Sequence, residues 1–386
     1  MDWSPKQQEA LKHVNEWYST ANFSNKPYIY IGGWAGTGKS TLAQHFASGL
    51  SRVAYATFTG KAALVLQRKG CHGAKTIHSL IYKPVDEGSS LADEDRSGKR
   101  RAEGPVFELD PASELRDKQL LILDECSMVN EQIRNDLLSF GVPIIVLGDP
   151  GQLPPVKGTG AFTGERPDIM LDEVHRQALE SPIIRVATDI RRGKSLARFK
   201  DEKVDIYPTG SRDIVQISQQ YEQLLCGRNN VRIAANSKLR IALGYSGVYP
   251  AVGDKLICLR NNRREGIFNG LIVRVTEVHE VDDYRVTVST VDEDGYGRRL
   301  SIHEMCFSDP DGLEQLSWKE RQQLQEFTFG YAITVHKSQG SQWDSVAVLD
   351  DGMFSWDSSN RKKWLYTAVT RAVDKLAVIR WKADGK

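Results

Sequence analysis

The run Gly33-Trp34-Ala35-Gly36-Thr37-Gly38-Lys39-Ser40 constrains this chain more than any other stretch. It satisfies the pattern G-x-x-x-x-G-K-[ST] without a mismatch, and its flanks supply the context the pattern needs. Residues 28–31 read as a buried strand leading in, and residues 40–50 as a helix leading out. Glycine lets backbone N–H groups close around phosphate oxygens, and a helix start adds partial positive charge. Lys39 is placed to reach the β- and γ-phosphates, and Ser40 to hold Mg²⁺. A glycine-rich turn before an ordinary helix uses the same residue types, but the complete pattern between strand and helix leaves that reading little room. The chain is expected to bind a nucleoside triphosphate through Gly33, Ala35, Gly36, Thr37, Gly38, Lys39, Ser40 and Thr41.

Bulk properties narrow the setting. Lys plus Arg (51) and Asp plus Glu (50) nearly cancel, so any nucleic-acid surface must be a local groove rather than a global positive field. Cys71, Cys126, Cys226, Cys258 and Cys306 are scattered without a zinc spacing, which fits a reducing compartment. No run approaches the length of a membrane span, so the expected location is the cytoplasm and no membrane partner is expected.

Other signals follow in chain order. Ser4 caps and Pro5 opens a helix to about residue 18, in which Gln7 is either a surface residue or an amide reading an adenine edge. Residues 53–58 form a second buried strand, delivering Thr59-Gly60-Lys61-Ala62-Ala63 to the ligand-bearing edge of a sheet. Thr59, Lys61 and His78 suit phosphate oxygens of a polymer, or equally a helix cap, a solvated lysine and a packed imidazole. Residues 83–109 are polar and charged, and too long for an ordinary connection; they read as a protruding insertion or hairpin. The apolar run 120–123 ends in Asp124-Glu125, a costly pair unless it meets a cation. Asp124 is expected to hold Mg²⁺ with Ser40, and Glu125 to accept a proton from an attacking water. Glutamate after aspartate favours water over a small-molecule acceptor, leaving a kinase as the weaker reading. A helix over about 130–140 leads to strand 144–147, whose following turn carries Gln152, a candidate γ-phosphate contact.

Arg176 is either a surface charge or a finger for transition-state charge. A helix follows from Ser181-Pro182 to about residue 192. Residues 214–217 and 231–235 read as strands, the latter ending at Asn236. Alternating runs at 256–259, 271–275 and 284–288, with a turn at Asn269-Gly270, make 248–307 all-β, the signature of a small barrel. Residues 315–325 read as helical, 346–349 as a strand, 364–371 as a helix ending at Arg371, and 376–379 as the last strand. Arg371 alone would be a helix-end cation.

The order of these motifs resembles that of superfamily 1 helicases, and the runs Thr76-Ile77-His78-Ser79, Asp124-Glu125-Cys126-Ser127-Met128 and His336-Lys337-Ser338-Gln339-Gly340 are similar to the superfamily 1B, Dda-like and RecD-like branch. The resemblance implies an α/β fold of two RecA-like P-loop domains, parallel sheets flanked by helices. A polar pin is inserted in the first and a small β-barrel in the second. The expected boundaries are 1–175 with a pin at about 83–109, then 176–247 with 327–386, and 248–326 for the barrel. It implies ATP and Mg²⁺ as cofactors, Gln7 reading adenine, and Gln339 and Gly340 beside the nucleotide. Lys39, Asp124, Glu125, Gln152, Arg176 and Arg371 would carry hydrolysis. Thr59, Gly60, Lys61, His78, Asn236, Thr334, His336 and Lys337 would contact DNA. The implied function is ATP-dependent unwinding by a monomer translocating 5′ to 3′ on single-stranded and forked DNA. Single-strand-binding or replication proteins are candidate partners, and the location is a host's cytoplasm if the chain is phage-encoded. A protein-displacing translocase and an ATP-switched DNA-binding subunit are the alternatives. No nuclease or relaxase constellation is evident.

Overall fold

The structure is a computed structural model that describes residues 3–20, 22–84, 107–154, 160–173, 181–194, 196, 199–208, 214–262, 265, 267–293, 295–351 and 358–380. The chain packs as two compact units, one of Met1–Ile81, Ala112–Ala235 and Ala332–Lys386, the other of Tyr82–Pro111 and Asn236–Tyr331.

The first unit holds two sheets. Helix α1 (Pro5–Thr20) leads to β1 (Tyr28–Gly33), α2 (Lys39–Ala47), β2 (Val53–Thr57), α3 (Gly60–Arg68), β3 (Lys75–Thr76) and α4 (Ile77–Ile81). A short antiparallel pair, β4 (Tyr82–Pro84) with β5 (Phe107–Leu109), belongs to the other unit and forms the base of the polar excursion, whose residues 85–106 lie outside the described residues. The first sheet resumes with β6 (Leu120–Asp124), α5 (Glu131–Leu138), β7 (Ile144–Gly148) and β8 (Ile169–Leu171). Its order is β3-β2-β6-β7-β1-β8, every pair parallel. Such a sheet must be covered on both faces, which explains the unbroken apolar runs. On one face Leu120, Ile122, Ile145 and Leu147 pack with Ile29 and Ile31 beneath Ala10, Val14 and Trp17 of α1 and Leu42 of α2. The four strands expected from sequence are all present; β3 and β8, too short for a periodic signal, extend the sheet at its edges.

The second sheet follows α6 (Pro182–Arg191) and comprises β9 (Phe199–Lys200), β10 (Val204–Tyr207), β11 (Gln223–Cys226) and three later strands. Two expectations fail here. Residues 214–217 lie in helix α7 (Ile214–Ser218), and residues 231–235 in helix α8 (Asn229–Ala242). A strand would bury Val231, Ile233 and Ala235 together, yet Ile233 is 58% exposed while Val231, Asn236 and Leu239 are buried, a helical spacing. The true strand is β11, fully buried but carrying Gln223, which masks its apolar run.

In the second unit β12 (Lys255–Cys258), β13 (Ile272–Val281), β14 (Arg285–Asp292), β15 (Gly297–His303) and β16 (Phe327–Phe329) form an antiparallel sheet, order β15-β14-β13-β12-β16. A bridge between Ile302 and Gln325, with His303 N donating to Gln325 O at 2.9 Å and Gln325 N to Ser301 O at 2.8 Å, draws its outer strands together. Val273, Val275, Val286, Val288, Leu300, Ile302 and Phe327 fill the inside. The helix expected over 315–325 is reduced to Trp318–Arg321, because Ser317 caps it late: Ser317 N donates to Glu320 Oε2 at 2.8 Å.

The chain returns to the second sheet through β17 (Ala332–Thr334), β18 (Trp343–Asp350), α9 (Ser358–Val369) and β19 (Ala372–Arg380). Its order is β17-β11-β18-β19-β10-β9, parallel except for β9.

Candidate nucleotide site and nucleic-acid interface

The carboxyl ends of β1, β6 and β7 deliver the loop 33–40, the pair Asp124-Glu125 and the turn after Gly148. Gly36 (φ 78°) and Gly38 (φ 77°) hold left-handed backbone, which a side chain at either position would strain. Thr37 is buried, and its hydroxyl donates to Trp34 O at 2.8 Å; Ala35 lies between the two within the loop. Lys39 opens α2 and folds back over the loop, its Nζ donating to Gly33 O at 2.6 Å and Trp34 O at 3.1 Å. Ser40 Oγ donates to Asp124 Oδ2 at 2.7 Å, and Asp124 Oδ1 accepts from Glu125 N at 2.8 Å. Thr41, in the first turn of α2, is exposed.

Glu125 is the only non-glycine residue with positive φ (54°) among the described residues. Such strain persists where surrounding structure over-determines it. Burial pushes the Glu125 carboxyl above the ordinary carboxylate value; the positive charges of Arg371 and Lys39 oppose the rise, and Asp124 and Asp149 add to it. Burial also raises Asp149, against Lys39, a hydrogen bond from Tyr366 and the Arg371 charge. Gln152 is buried, with its Oε1 lacking a partner.

These donors fit a magnesium triphosphate. A hydroxyl already on a carboxylate, a lysine spanning a left-handed glycine loop and an orphaned buried amide oxygen match what phosphates, their ion and a water would need. No cluster of three or more His, Cys, Asp or Glu suited to a metal occurs among the described residues.

Gln7 is tied to the phosphate loop, by a route the sequence reading missed. Ser4-Pro5-Lys6-Gln7 is a capping box: Gln7 N donates to Ser4 Oγ at 3.4 Å and Ser4 N to Gln7 Oε1 at 3.0 Å. The Gln7 amide nitrogen then donates to Thr37 O at 3.2 Å, tying α1 to the phosphate loop, and the residue is only 2% exposed. The S-x-x-Q spacing was the available signal.

Arg371, in the turn after α9, comes from the second sheet, and its charge is felt at Glu125 and Asp149. It is 3% exposed, its guanidinium donating to Thr367 O at 3.0 Å and Ser341 O at 3.3 Å. Gln339 also comes from the second sheet, its Nε2 donating to Leu153 O at 3.0 Å, in the turn that carries Gln152. Gly340 (φ 74°) passes so close to Thr59 that a Cβ would stand 2.6 Å from its hydroxyl. Arg176 falls within residues 174–180, outside the described residues.

Of the residues assigned to DNA, Thr59 caps α3 by accepting from Ala62 N at 3.3 Å, and Gly60 and Lys61 begin that helix. Lys61 Nζ sits 4.7 Å over the Trp343 ring of the second sheet, and His78 packs edge-on against Phe58. Thr334 Oγ1 accepts from Lys337 N at 3.3 Å, fixing the turn that carries His336. Burial pushes the His336 imidazole down, so it is neutral near pH 7 and offers a hydrogen bond rather than a charge. The structure thus brings Thr59, Gly60, Lys61, His78, Thr334, His336 and Lys337 into one unit. Asn236 is buried within α8 rather than at a strand end, at the boundary between the two units.

The model of the family described as AAA domain matches residues 3–212, and that of the UvrD-like helicase C-terminal domain matches residues 329–379. The chain belongs to this AAA domain family. Across 97% of its length it is 29% identical to the ATP-dependent RecD2 DNA helicase of Deinococcus radiodurans. It is 31% identical over 186 residues, 44% of the chain, to the ATP-dependent DNA helicase dda of Enterobacteria phage T4. The chain spans 50% of the first protein's length and 39% of the second's. A crystal structure of Pif1 helicase from Bacteroides in complex with ADP-AlF3 and ssDNA shares its fold, with TM-score 0.57 and 19% identity over 98% of this chain and 92% of that one. This likeness bears out the pair of RecA-like parallel sheets. All five cysteines are free and buried, and no described helix is long and apolar enough to cross a membrane.

Proposed function

We propose that this chain is an ATP-dependent DNA helicase that moves 5′ to 3′ along single-stranded DNA and parts the duplex ahead of it. The observation that carries the reading is the second sheet's hold on the first at the nucleotide site: Tyr366 Oη donates to Asp149 Oδ2 at 2.6 Å, Gln339 Nε2 donates to Leu153 O at 3.0 Å, and the Arg371 charge opposes the rise of Glu125 and Asp149. A hydrolytic site completed by two sheets can change when they move, and a chain that grips DNA on both can convert that change into translocation. Bound Mg²⁺·ATP would supply the γ-phosphoryl group whose transfer to water drives the cycle. Lys39 would hold its phosphates, and Ser40 and Asp124 its ion. Glu125 would take the proton of the attacking water, Gln152 would orient that water, and Gln7 would face the base. Arg371, with Arg176, would offset developing charge. Thr59, Lys61, His78, Thr334, His336 and Lys337 would hold the DNA backbone. The four-part division at residues 175, 247 and 326, with a pin near 83–109, belongs to the same proposal.

Two measurements test it. Incubated with ATP and a fork bearing a 5′ single-stranded tail, the protein is expected to release the displaced strand, and a fork bearing only a 3′ tail should stay paired. Single-strand-stimulated hydrolysis without strand release would leave a translocase instead. Arg371→Ala is expected to lower kcat by about 10³-fold while changing ATP affinity far less, the signature of a charge felt mainly in the transition state. Loss of affinity with kcat retained would remove Arg371 from the reaction.

A further inference from the structure

The turn after β7 is gripped from the second sheet by Tyr366 and Thr367 of α9. Tyr366 Oη donates to Asp149 Oδ2 at 2.6 Å and accepts from Ala35 N, in the phosphate loop, at 3.0 Å. Both Tyr366 and Asp149 are buried. The other Asp149 oxygen accepts from Gly151 N at 2.9 Å, and Gln152 N donates to Asp149 O at 3.0 Å, so this carboxylate shapes the turn that presents Gln152. One residue on, Thr367 Oγ1 accepts from Leu153 N at 2.9 Å, while Thr367 O accepts from Arg371 Nε at 3.0 Å. The end of α9 therefore binds the phosphate loop through Tyr366, the Gln152 turn through Tyr366 and Thr367, and Arg371 through Thr367. Arg191 of α6 stacks 3.9 Å over the Trp34 ring, a second anchor on the same loop.

We propose that Tyr366 is a positioning residue that makes the phosphate loop, the Gln152 turn and Arg371 a single conformational variable. Its hydroxyl bonds at once to the loop and to Asp149, and its helix, α9, runs on into the turn that carries Arg371. A hydroxyl that donates to a buried carboxylate and accepts a loop N–H holds both ends of the site in register, and a shift of either is felt at the other. Phenylalanine keeps the ring and its packing but releases both bonds.

The inference rests on the helicase reading, and the experiment separates the two. ATP turnover is measured with and without single-stranded DNA for the wild type, Tyr366→Phe, Asp149→Ala and the double variant. Thermal melting runs alongside, and Asp149→Asn takes the place of the alanine variant if that one melts below the assay temperature. A wild type without DNA-stimulated turnover sinks the helicase reading itself. Given an active wild type, Tyr366→Phe is expected to lower DNA-stimulated kcat roughly tenfold to a hundredfold, as small misplacements of reacting groups do. KM for ATP should stay within about twofold, the stimulation ratio should fall, and the melting temperature should hold. The double variant should be no slower than the slower single one, because both changes cut the same link. Turnover of Tyr366→Phe within about twofold of wild type, a preserved stimulation ratio, or losses that multiply in the double variant would each overturn the proposal.

Discussion

Lys39→Ala is expected to abolish working ATP turnover, lowering DNA-stimulated kcat by about 10²–10³-fold and weakening ATP binding, with DNA binding retained. The lysine does two things. Its ammonium bonds Gly33 O and Trp34 O across the loop, and its charge opposes the burial-driven rise of both Glu125 and Asp149. Without it, Glu125 and Asp149 lose a positive charge that offsets their burial beside Asp124, and a triphosphate adds further negative charge. Both binding and chemistry must suffer, since phosphate attraction acts in the ground state and the transition state alike. The groups assigned to DNA lie on α3, α4 and the turn after β17, so fluorescence anisotropy with a labelled single strand should give an affinity near wild type. Normal turnover in this variant would refute the phosphate-loop assignment.

How much of this was legible in the sequence differs from element to element. Strands β1, β2, β6 and β7 were readable because a doubly covered parallel sheet demands unbroken apolar runs, and each such run ended in a chemical signature. In the second sheet that rule misled. Val231-Arg232-Ile233-Ala234-Ala235 is apolar enough for a strand, but the run is short, and its burial follows a helix. Strand β11 was hidden by Gln223, a polar residue that the sheet nonetheless buries. Within the site, local grammar carried Lys39, Ser40, Asp124 and Glu125. What it could not carry is contact between distant residues: Tyr366 and Asp149 stand 217 positions apart, and nothing in either neighbourhood names the other. Asp149 did leave a trace, an acid closing a buried strand in the manner of Asp124. Gln7 left a plainer one in its capping box, a local rule that accounts for its burial before any ligand is considered.

Glu125→Gln is expected to separate chemistry from binding, where Lys39→Ala damages both. The amide matches the carboxylate in shape and has the same Cβ, so whatever the left-handed backbone at φ 54° costs is shared by both residues. What glutamine lacks is a basic oxygen to accept a proton from water, and loss of a positioned general base costs about 10²–10⁴-fold in kcat. ATP binding should remain, because the phosphate contacts assigned to Lys39 and Ser40 are untouched. Stability should remain as well: burial works against the charged form of Glu125, so a neutral isostere relieves desolvation and the melting temperature should equal or exceed that of the wild type. The variant should therefore fold, bind nucleotide and DNA, and fail to turn over. A single-turnover assay beside an equilibrium ATP titration gives the answer. Retained turnover would move the base elsewhere, and lost ATP affinity would make Glu125 a binding residue rather than the acceptor of the proton.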